Sequence, residues 1–530
     1  MNPLDDAPSP ARQRRGAALS GVLAAGLTLG VAHLVAAIVD PPASPLPALG
    51  DAFIDLTPEW LKEAAIAAFG LNDKLALGVG MAVVILAVAA LTGIVAQRRL
   101  PAGQLVVVLL GAVAGLAAVT RPQTGSLAAV PSVVGAVAGM LALQALVTRL
   151  APPARSATGR TAVGPGDERP STAAGASRRT FLRTAMAVGV GTALSTAAGS
   201  IVSGARSTAT AVRRILLPTA ARPAPPVPLD AQSPVAGVVD VVTATEDFYR
   251  IDTAFTVPQI DANSWELRVH GLVDREIRLT FDDLLARDLV ESYVTLTCVS
   301  NPIGGSLAGN AKWLGLPVRE VLAMAGPQAG ADMVLSRSAD GFTASTPLEA
   351  LTDDRDALLA VGMNGEPLPA RHGSPVRMVV PGLYGYVSAT KWVVDLEVTR
   401  FADAQAYWTV RGWSERGPIK TASRIEVPAA GSSVPAGPVD VGGTAWAQHT
   451  GIVGVEVQVD DGPWEQATLG GEISIDTWRQ WSWRWPEATP GRHTLRVRAA
   501  DAENGVQTQE ERPVVPDGAT GWHEVAVTVR

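Results

Sequence analysis

Hydrophobic runs dominate the first part of the chain. Residues 17–39, 75–97, 105–120 and 130–147 contain no Asp, Glu, Lys or Arg. Each comes near the roughly 20 residues that a helix needs to cross the hydrocarbon layer of a bilayer. None shows the polar stripe of a helix with one wet face. Four successive membrane-spanning helices over residues 1–152 explain this better than four buried helices of a soluble protein. Basic residues set the orientation. Arg12, Arg14 and Arg15 precede the first run, Arg98 and Arg99 part the second from the third, and Arg149 and Arg155 follow the fourth. Residues 40–74 instead carry Asp51, Asp55, Glu59, Glu63 and Asp73. Both ends of the block are therefore expected on the cytoplasmic side.

A cytoplasmic linker is expected over residues 153–176. Ser177-Arg178-Arg179-Thr180-Phe181-Leu182-Arg183 then leads into residues 184–202, a weakly apolar stretch rich in Ala, Gly, Ser and Thr. Paired arginines before a modest apolar run resemble a twin-arginine export signal, and the alternative is a fifth membrane helix with a basic flank. Residues 177–205 serve either role, and both put the chain beyond residue 205 outside the cytoplasm. Arg206, Arg213 and Arg214 sit on the side that the charge rule disfavours. Ala209-Thr210-Ala211 offers a small-residue cleavage site.

Beyond a Pro/Ala-rich linker (206–236) the pattern turns globular. Residues 265–269 and 293–297 read as strands, and residues 281–287 as a short helix. Pro317 is expected in the first turn of a helix with Val321, Leu322 and Met324 on its apolar face and Gly326 at its end. Residues 376–380, stopped by Pro381-Gly382, read as a buried strand. Mixed α+β structure is thus expected over residues 237–402. From residue 403 the helical signals cease. Residues 452–459, 492–499 and 523–529 alternate apolar and polar positions between turns such as Asp460-Asp461-Gly462 and Thr489-Pro490-Gly491, which predicts a β-sandwich over residues 403–530. Trp478, Trp481, Trp483 and Trp485 are expected in its packing, with strand periodicity from Trp481 onward.

Composition narrows the function. A chain of 530 residues needs several cores. A net charge of −7 gives no support to nucleic-acid binding. The single cysteine, Cys298, excludes an internal disulfide and is either a small buried apolar residue or a metal ligand. Only His33 lies in an apolar run, so the chain does not supply the histidine pair of an intramembrane b-type haem. His270, His449, His493 and His523 lack metal-ligand spacing and are expected to be structural or exposed.

Several motifs share one order: Thr295-Leu296-Thr297-Cys298-Val299-Ser300-Asn301, Gly309-Asn310-Ala311-Lys312-Trp313-Leu314-Gly315, Asp340-Gly341-Phe342, Met363-Asn364-Gly365-Glu366-Pro367-Leu368-Pro369, Arg371-His372-Gly373-Ser374-Pro375-Val376-Arg377, and Pro381-Gly382-Leu383-Tyr384-Gly385-Tyr386 with Ser388-Ala389-Thr390-Lys391-Trp392. Over residues 237–402 the chain resembles the sulfite oxidase family of molybdopterin enzymes. Residues 403–530, through Arg411-Gly412-Trp413-Ser414 and Ala445-Trp446-Ala447-Gln448, resemble the family's immunoglobulin-like dimerisation domain. The fold implied is multidomain: an α-helical transmembrane block, a mixed α+β sulfite-oxidase-type molybdopterin domain, and an immunoglobulin-like β-sandwich.

The resemblance implies a molybdenum–molybdopterin cofactor with Cys298 as its thiolate ligand and catalytic residue, a role suited to a soft anionic donor. It assigns pterin contacts to His372, Arg377, Ser388, Thr390 and Lys391, to Tyr249, Arg250 and Ile251 upstream, and to Ser338. Arg377 can fork onto a phosphate, and Lys391 adds a point charge or is an ordinary surface cation. Two-electron oxygen-atom transfer with a small or protein-bound oxo substrate is the implied reaction. A cytochrome- or quinone-linked electron partner and a homodimer are implied with it. Sulfite oxidases of eukaryotes carry arginines shortly after the ligand cysteine that help hold an anionic substrate. Here Asn301-Pro302-Ile303-Gly304-Gly305 has no cation. Reduction of an S-oxide or N-oxide with membrane electrons therefore stays open, as does a cofactor-free, membrane-anchored binding scaffold.

Overall fold

A computed structural model describes residues 10–58, 61, 68–69, 73–150, 172–212 and 215–530. The expected linker 153–176 lies outside the described residues up to position 171. The chain divides into two compact units. One comprises residues 1–212 with Thr253–Thr256, and the other Arg213–Asp252 with Val257–Arg530.

The first unit is helical: α1 (Pro10–Val39), α2 (Pro45–Leu56), α3 (Asp73–Arg98), α4 (Leu100–Val119), α5 (Val130–Leu150) and α6 (Thr172–Val212). Among the described residues five helical stretches are long and apolar enough to cross a membrane by length and composition: Ala11–Val39, Lys74–Arg98, Leu100–Val119, Val130–Leu150 and Arg179–Gly204. The third begins earlier than its apolar run because Pro101 fits an opening helical turn, where its missing N–H costs nothing. Helix α2 was not legible in the pattern, being a short helix inside an acidic loop. Small residues let the helices meet closely. A Cβ on Gly21 would lie 1.9 Å from the Ala89 carbonyl, and one on Gly93 would lie 2.0 Å from that of Ala17, so α1 and α3 touch backbone to backbone. Large apolar side chains such as Val83, Leu109 and Leu141 point outward.

The second unit holds two layered regions. A five-stranded sheet has the order β2 (Ile277–Thr280), β1 (Glu266–Gly271), β10 (Val393–Thr399), β5 (Met333–Ser338), β6 (Thr343–Pro347), with β1 and β10 parallel. A second sheet joins β3 (Val290–Thr297), β4 (Ala308–Pro317), β7 (Leu358–Met363) and β8 (Glu366–Pro367), with β9 (Arg377–Val379) also on β7. This second sheet is covered on both faces, which the two-residue strand period makes visible. Leu359 and Val361 of β7 enter one core with Leu267, Val269 and Leu396 of the first sheet. Leu358 and Ala360 enter another with Val294, Leu296, Trp313 and Phe248.

The structure corrects two expectations. Pro317 ends β4 and caps the following helix Val318–Ala325 rather than sitting inside its first turn. Gly326 closes that helix in the left-handed conformation (φ 72°), as a residue without Cβ can. The segment expected as a linker over residues 206–236 is extended from Ile215 but packed. Ala221 N–H donates to the Leu289 carbonyl (2.8 Å), the Arg222 carbonyl accepts from Glu291 N–H (2.8 Å), and buried Ser233 N–H donates to Gln480 Oε1 (2.6 Å). Proline-rich backbone has few donors, so it can lie along a surface with few hydrogen bonds left unmade.

The C-terminal part is a β-sandwich. One sheet runs β11 (Ala422–Val427), β13 (Gly437–Trp446), β17 (Arg479–Ala488), β16 (Thr468–Leu469). The other runs β12 (Ser433–Val434), β20 (His523–Val529), β18 (Gly491–Asp501), β14 (Ile452–Val459), β15 (Glu465–Gln466), with β19 (Gly505–Val506) beside β18. Trp481, Trp483 and Trp485 are buried between the sheets with Val455, Val457, Leu495 and Val525. Trp478 instead packs with Ala231, Val241, Ala308 and Trp446, tying the sandwich to the Pro/Ala-rich strap and to β4.

Candidate cofactor site

Strand β3 delivers Cys298. It pairs antiparallel with β4 as far as Thr297 opposite Ala308, and the loop between closes on itself. Cys298 N–H donates to the Leu307 carbonyl (2.9 Å), Asn301 N–H to the Cys298 carbonyl (3.1 Å), and Leu307 N–H to Asn301 Oδ1 (2.9 Å). The sulfur is nearly buried, 2.9 Å from Ser300 Oγ. Burial pushes the thiol above its ordinary value, with Ser300 pulling the other way.

Around it stand groups from distant parts of the chain. Burial lifts the Tyr249 phenol above its usual range, proximity to Cys298 adds to this, and Arg377 opposes it. Cys298 and Arg377 thus both lie within electrostatic reach of the Tyr249 phenol. Tyr249 stacks on Phe248 (5.3 Å between centroids), and Phe248 meets the edges of Trp313 (5.7 Å) and His372 (5.8 Å). Arg377, at the start of β9, lies over Trp313 at 5.1 Å. Its guanidinium is buried and donates only to backbone carbonyls: Met378 (3.3 Å), His372 (3.1 Å) and Ala389 (3.3 Å). No carboxylate pairs with it among the described residues. Desolvation lowers it to about 10.

Gly373 (φ 112°) brings the basic groups together. A Cβ there would meet Arg377 Cβ at 2.9 Å and Lys391 Cβ at 3.1 Å, so only glycine allows both side chains to leave from this corner. Lys391 Nζ pairs with Asp252 at 2.8 Å and lies 4.7 Å from the centre of the Trp392 ring. His372 donates Nε2–H to the Thr245 carbonyl (2.9 Å), which leaves Nδ1 as its acceptor. Burial first, then Arg377, Arg371 and Lys391, depress it to about 4.

Other expected contacts are arranged differently. The Ser388 hydroxyl donates to the Leu383 and Tyr384 carbonyls. Ser336 donates to the Ala344 carbonyl, so Thr390 donates to Ser336 at 2.7 Å. The hydroxyl protons of Ser388 and Thr390 are therefore already committed within the protein. Ser338 ends β5 and accepts from Asp340 N–H (3.4 Å). Arg250 and Ile251 lie on the exposed rim, Arg250 reaching Asp252 at 3.0 Å. Two residues were missed in the sequence. Asp252 directly follows the Tyr249–Ile251 segment and neutralises Lys391. Asp340, whose carboxyl is raised by burial and by Asp252, opens the Asp340-Gly341-Phe342 motif, two residues after the assigned Ser338. Four histidines lie apart from this cluster: His270 bonds to Asp395, His449 to Asp476 and His493 to Asp460, and His523 accepts from Ile425 N–H.

The donor set suits an anionic, sulfur-ligated group: one buried thiol, a buried guanidinium without a counter-ion among the described residues, and a second cation on the same corner. Residues 254–408 match the oxidoreductase molybdopterin binding domain, and residues 423–497 a bacterial Ig domain. An uncharacterised oxidoreductase, YuiH of Bacillus subtilis (strain 168), is 34% identical over 157 residues, covering 30% of this chain and 76% of that protein. The chain belongs to the sulfite oxidase family of molybdopterin oxidoreductases. Human mitochondrial sulfite oxidase, another member, is 28% identical over 357 residues, 57% of this chain and 64% of its own length. The chain thus spans under two thirds of the mammalian sulfite oxidases it matches. Among solved structures, the sulfane dehydrogenase SoxCD from Paracoccus pantotrophus superposes at a TM-score of 0.46 with 23% identity, over 53% of this chain and 80% of that one. Family membership makes molybdenum–molybdopterin the cofactor, and the Cys298 thiol and Arg377 guanidinium fit it.

Proposed function

We propose that this family member is a membrane-anchored enzyme performing two-electron oxygen-atom transfer outside the cytoplasm. Its four N-terminal helices and segment 177–205 serve as anchor and export element. Cys298 binds the metal. Arg377 and Lys391 neutralise the anionic end of the pterin, and Tyr249 and His372 close the pocket around it. Arg250, Ile251, Ser338, Ser388 and Thr390 complete the contacts, those of Ser388 and Thr390 through backbone groups. When bound, the molybdenum supplies reversible two-electron redox chemistry coupled to oxygen transfer. The residues exclude water with the Phe248–Trp313 wall, hold a neutral His372 acceptor at the pocket, and keep Tyr249 protonated as a donor. Electrons pass to or from a separate cytochrome- or quinone-linked partner, and the β-sandwich mediates a homodimer.

The observation that carries this reading is the buried guanidinium of Arg377, unpaired with any carboxylate among the described residues, which acts electrostatically on the same Tyr249 phenol as the nearly buried sulfur of Cys298. Metal analysis of the purified full chain tests it. Wild type should contain about one molybdenum per chain and Cys298→Ser almost none. Metal retained by the variant would overturn the ligand assignment, and a metal-free wild type would favour a binding scaffold. The cation-free loop after Cys298 supports S-oxide or N-oxide reduction as the second reading.

A further inference from the structure

Among the described residues, Ser300 is the one whose side chain hydrogen-bonds the Cys298 sulfur, with Oγ 2.9 Å from Sγ. A serine hydroxyl in a turn ordinarily bonds a nearby backbone group. Ser300 Oγ makes no such bond, and the sulfur is its only partner among the described residues. In a free thiol either atom can supply the proton. A thiolate on a metal has none, so there the hydroxyl must donate. The Ser300 backbone N–H also favours negative charge on the same sulfur.

The chain is fixed on both sides of this contact. Upstream, buried Gln448 donates from Nε2 to the Thr295 carbonyl (3.1 Å) and to Thr297 Oγ1 (2.8 Å), and Thr295 N–H donates to the Asp476 carbonyl (3.0 Å). These bonds hold the end of β3 just before Cys298. Downstream, Asn301 folds back onto Leu307 through its Oδ1. That closure requires glycine at 305, since a Cβ there would lie 2.4 Å from Asn301 Oδ1. Val299, between the sulfur and the hydroxyl along the chain, is buried in the core that also holds Val376 and Leu383. The hydroxyl therefore meets the sulfur in a loop with little freedom left to lose when the metal arrives.

A thiolate ligand passes negative charge to its metal, and a donor on the sulfur withdraws part of it. Reduction returns charge to the metal and its sulfur, so the donor stabilises the reduced state more than the oxidised one. Outer-shell hydrogen bonds to ligand sulfurs raise reduction potentials in this way. No charged side chain figures among the influences on this thiol, which are burial and Ser300.

We infer that Ser300 is a positioning residue whose hydroxyl donates to the metal-bound Cys298 thiolate and raises the potential at which the centre exchanges electrons with its partner. The inference rests on the proposed placement of molybdenum on Cys298.

Redox titration of the cofactor-loaded full chain in detergent tests it, followed through the electron paramagnetic resonance signal of Mo(V), with molybdenum measured on the same samples. Ser300→Ala should keep its molybdenum. Its Mo(VI)/Mo(V) equilibrium should shift about tenfold towards the oxidised form, a potential lower by about 59 mV for one electron. The sulfur-to-metal charge-transfer absorption should move to longer wavelength, because a sulfur without its donor gives up electrons more readily. Ser300→Thr retains a hydroxyl and should return both readings towards wild type. An unchanged potential in molybdenum-loaded Ser300→Ala would overturn the inference. Loss of molybdenum from Ser300→Ala would overturn it too, in favour of a structural serine. Failure of the ligand assignment reads differently: there the wild type lacks molybdenum, or Cys298→Ser keeps it.

Discussion

Arg377→Met separates the stability of the fold from the affinity for the cofactor. The guanidinium is buried and depressed to about 10 by desolvation, which corresponds to about 3 kcal/mol of strain when the charged form is held in the cofactor-free pocket. Methionine fills similar space without charge and relieves that cost. Against the relief, the carbonyls of His372, Met378 and Ala389 each lose a donor at 3.1–3.3 Å, at about 1 kcal/mol apiece. The two effects nearly cancel. Full-length Arg377→Met protein, produced in a host unable to make the pterin and purified in detergent, should therefore melt within a few degrees of wild type. Cofactor retention should change far more. Losing a charge-assisted bond to an anionic group costs roughly 1.5–3 kcal/mol, or about 10- to 150-fold in affinity. Pterin and molybdenum measured on protein from a competent host should fall accordingly. A melting point lowered by more than about 10 °C in the cofactor-free form would mean that Arg377 is structural. Undiminished pterin content would mean that the anion sits elsewhere.

The same cluster yields two more expected outcomes. Asp252→Asn removes the buried carboxylate that pairs with the largely buried Lys391, and breaking such a pair costs on the order of 3–5 kcal/mol. Thermal unfolding of the cofactor-free chain should show a much larger drop than Arg377→Met, and equal melting points would refute the pairing. His372 is depressed in the fold to about 4, so below its ordinary value near 6.5 the unfolded chain binds the extra proton and the fold does not. Its contribution to stability is complete above about pH 6.5 and is lost as pH falls towards 4. His372→Gln should flatten the melting-temperature profile of cofactor-free protein across that window, and an unchanged slope would rule out a buried neutral His372.

Much of this protein was legible in its pattern because the signals are local. A charge-free run of about twenty residues has few soluble uses, and alternation of apolar and polar residues at 452–459 and 523–529 corresponds to the strands Ile452–Val459 and His523–Val529. The motif at Cys298 likewise reads without coordinates. What the sequence could not decide are facts of three-dimensional meeting. Nothing local distinguishes a tethering Pro/Ala segment from one laid along Leu289 and Gln480. Ser388 and Thr390 look like free hydroxyls until the carbonyls and Ser336 beside them are in view. Asp252 acquires meaning only when a chain separation of 139 residues is closed to set it against Lys391. Periodicity and composition record the environment each residue prefers, so a chain alone reveals which elements form. Which charge ends beside which, and which donor is left without an acceptor, depends on long-range packing, and there only the tertiary structure decides.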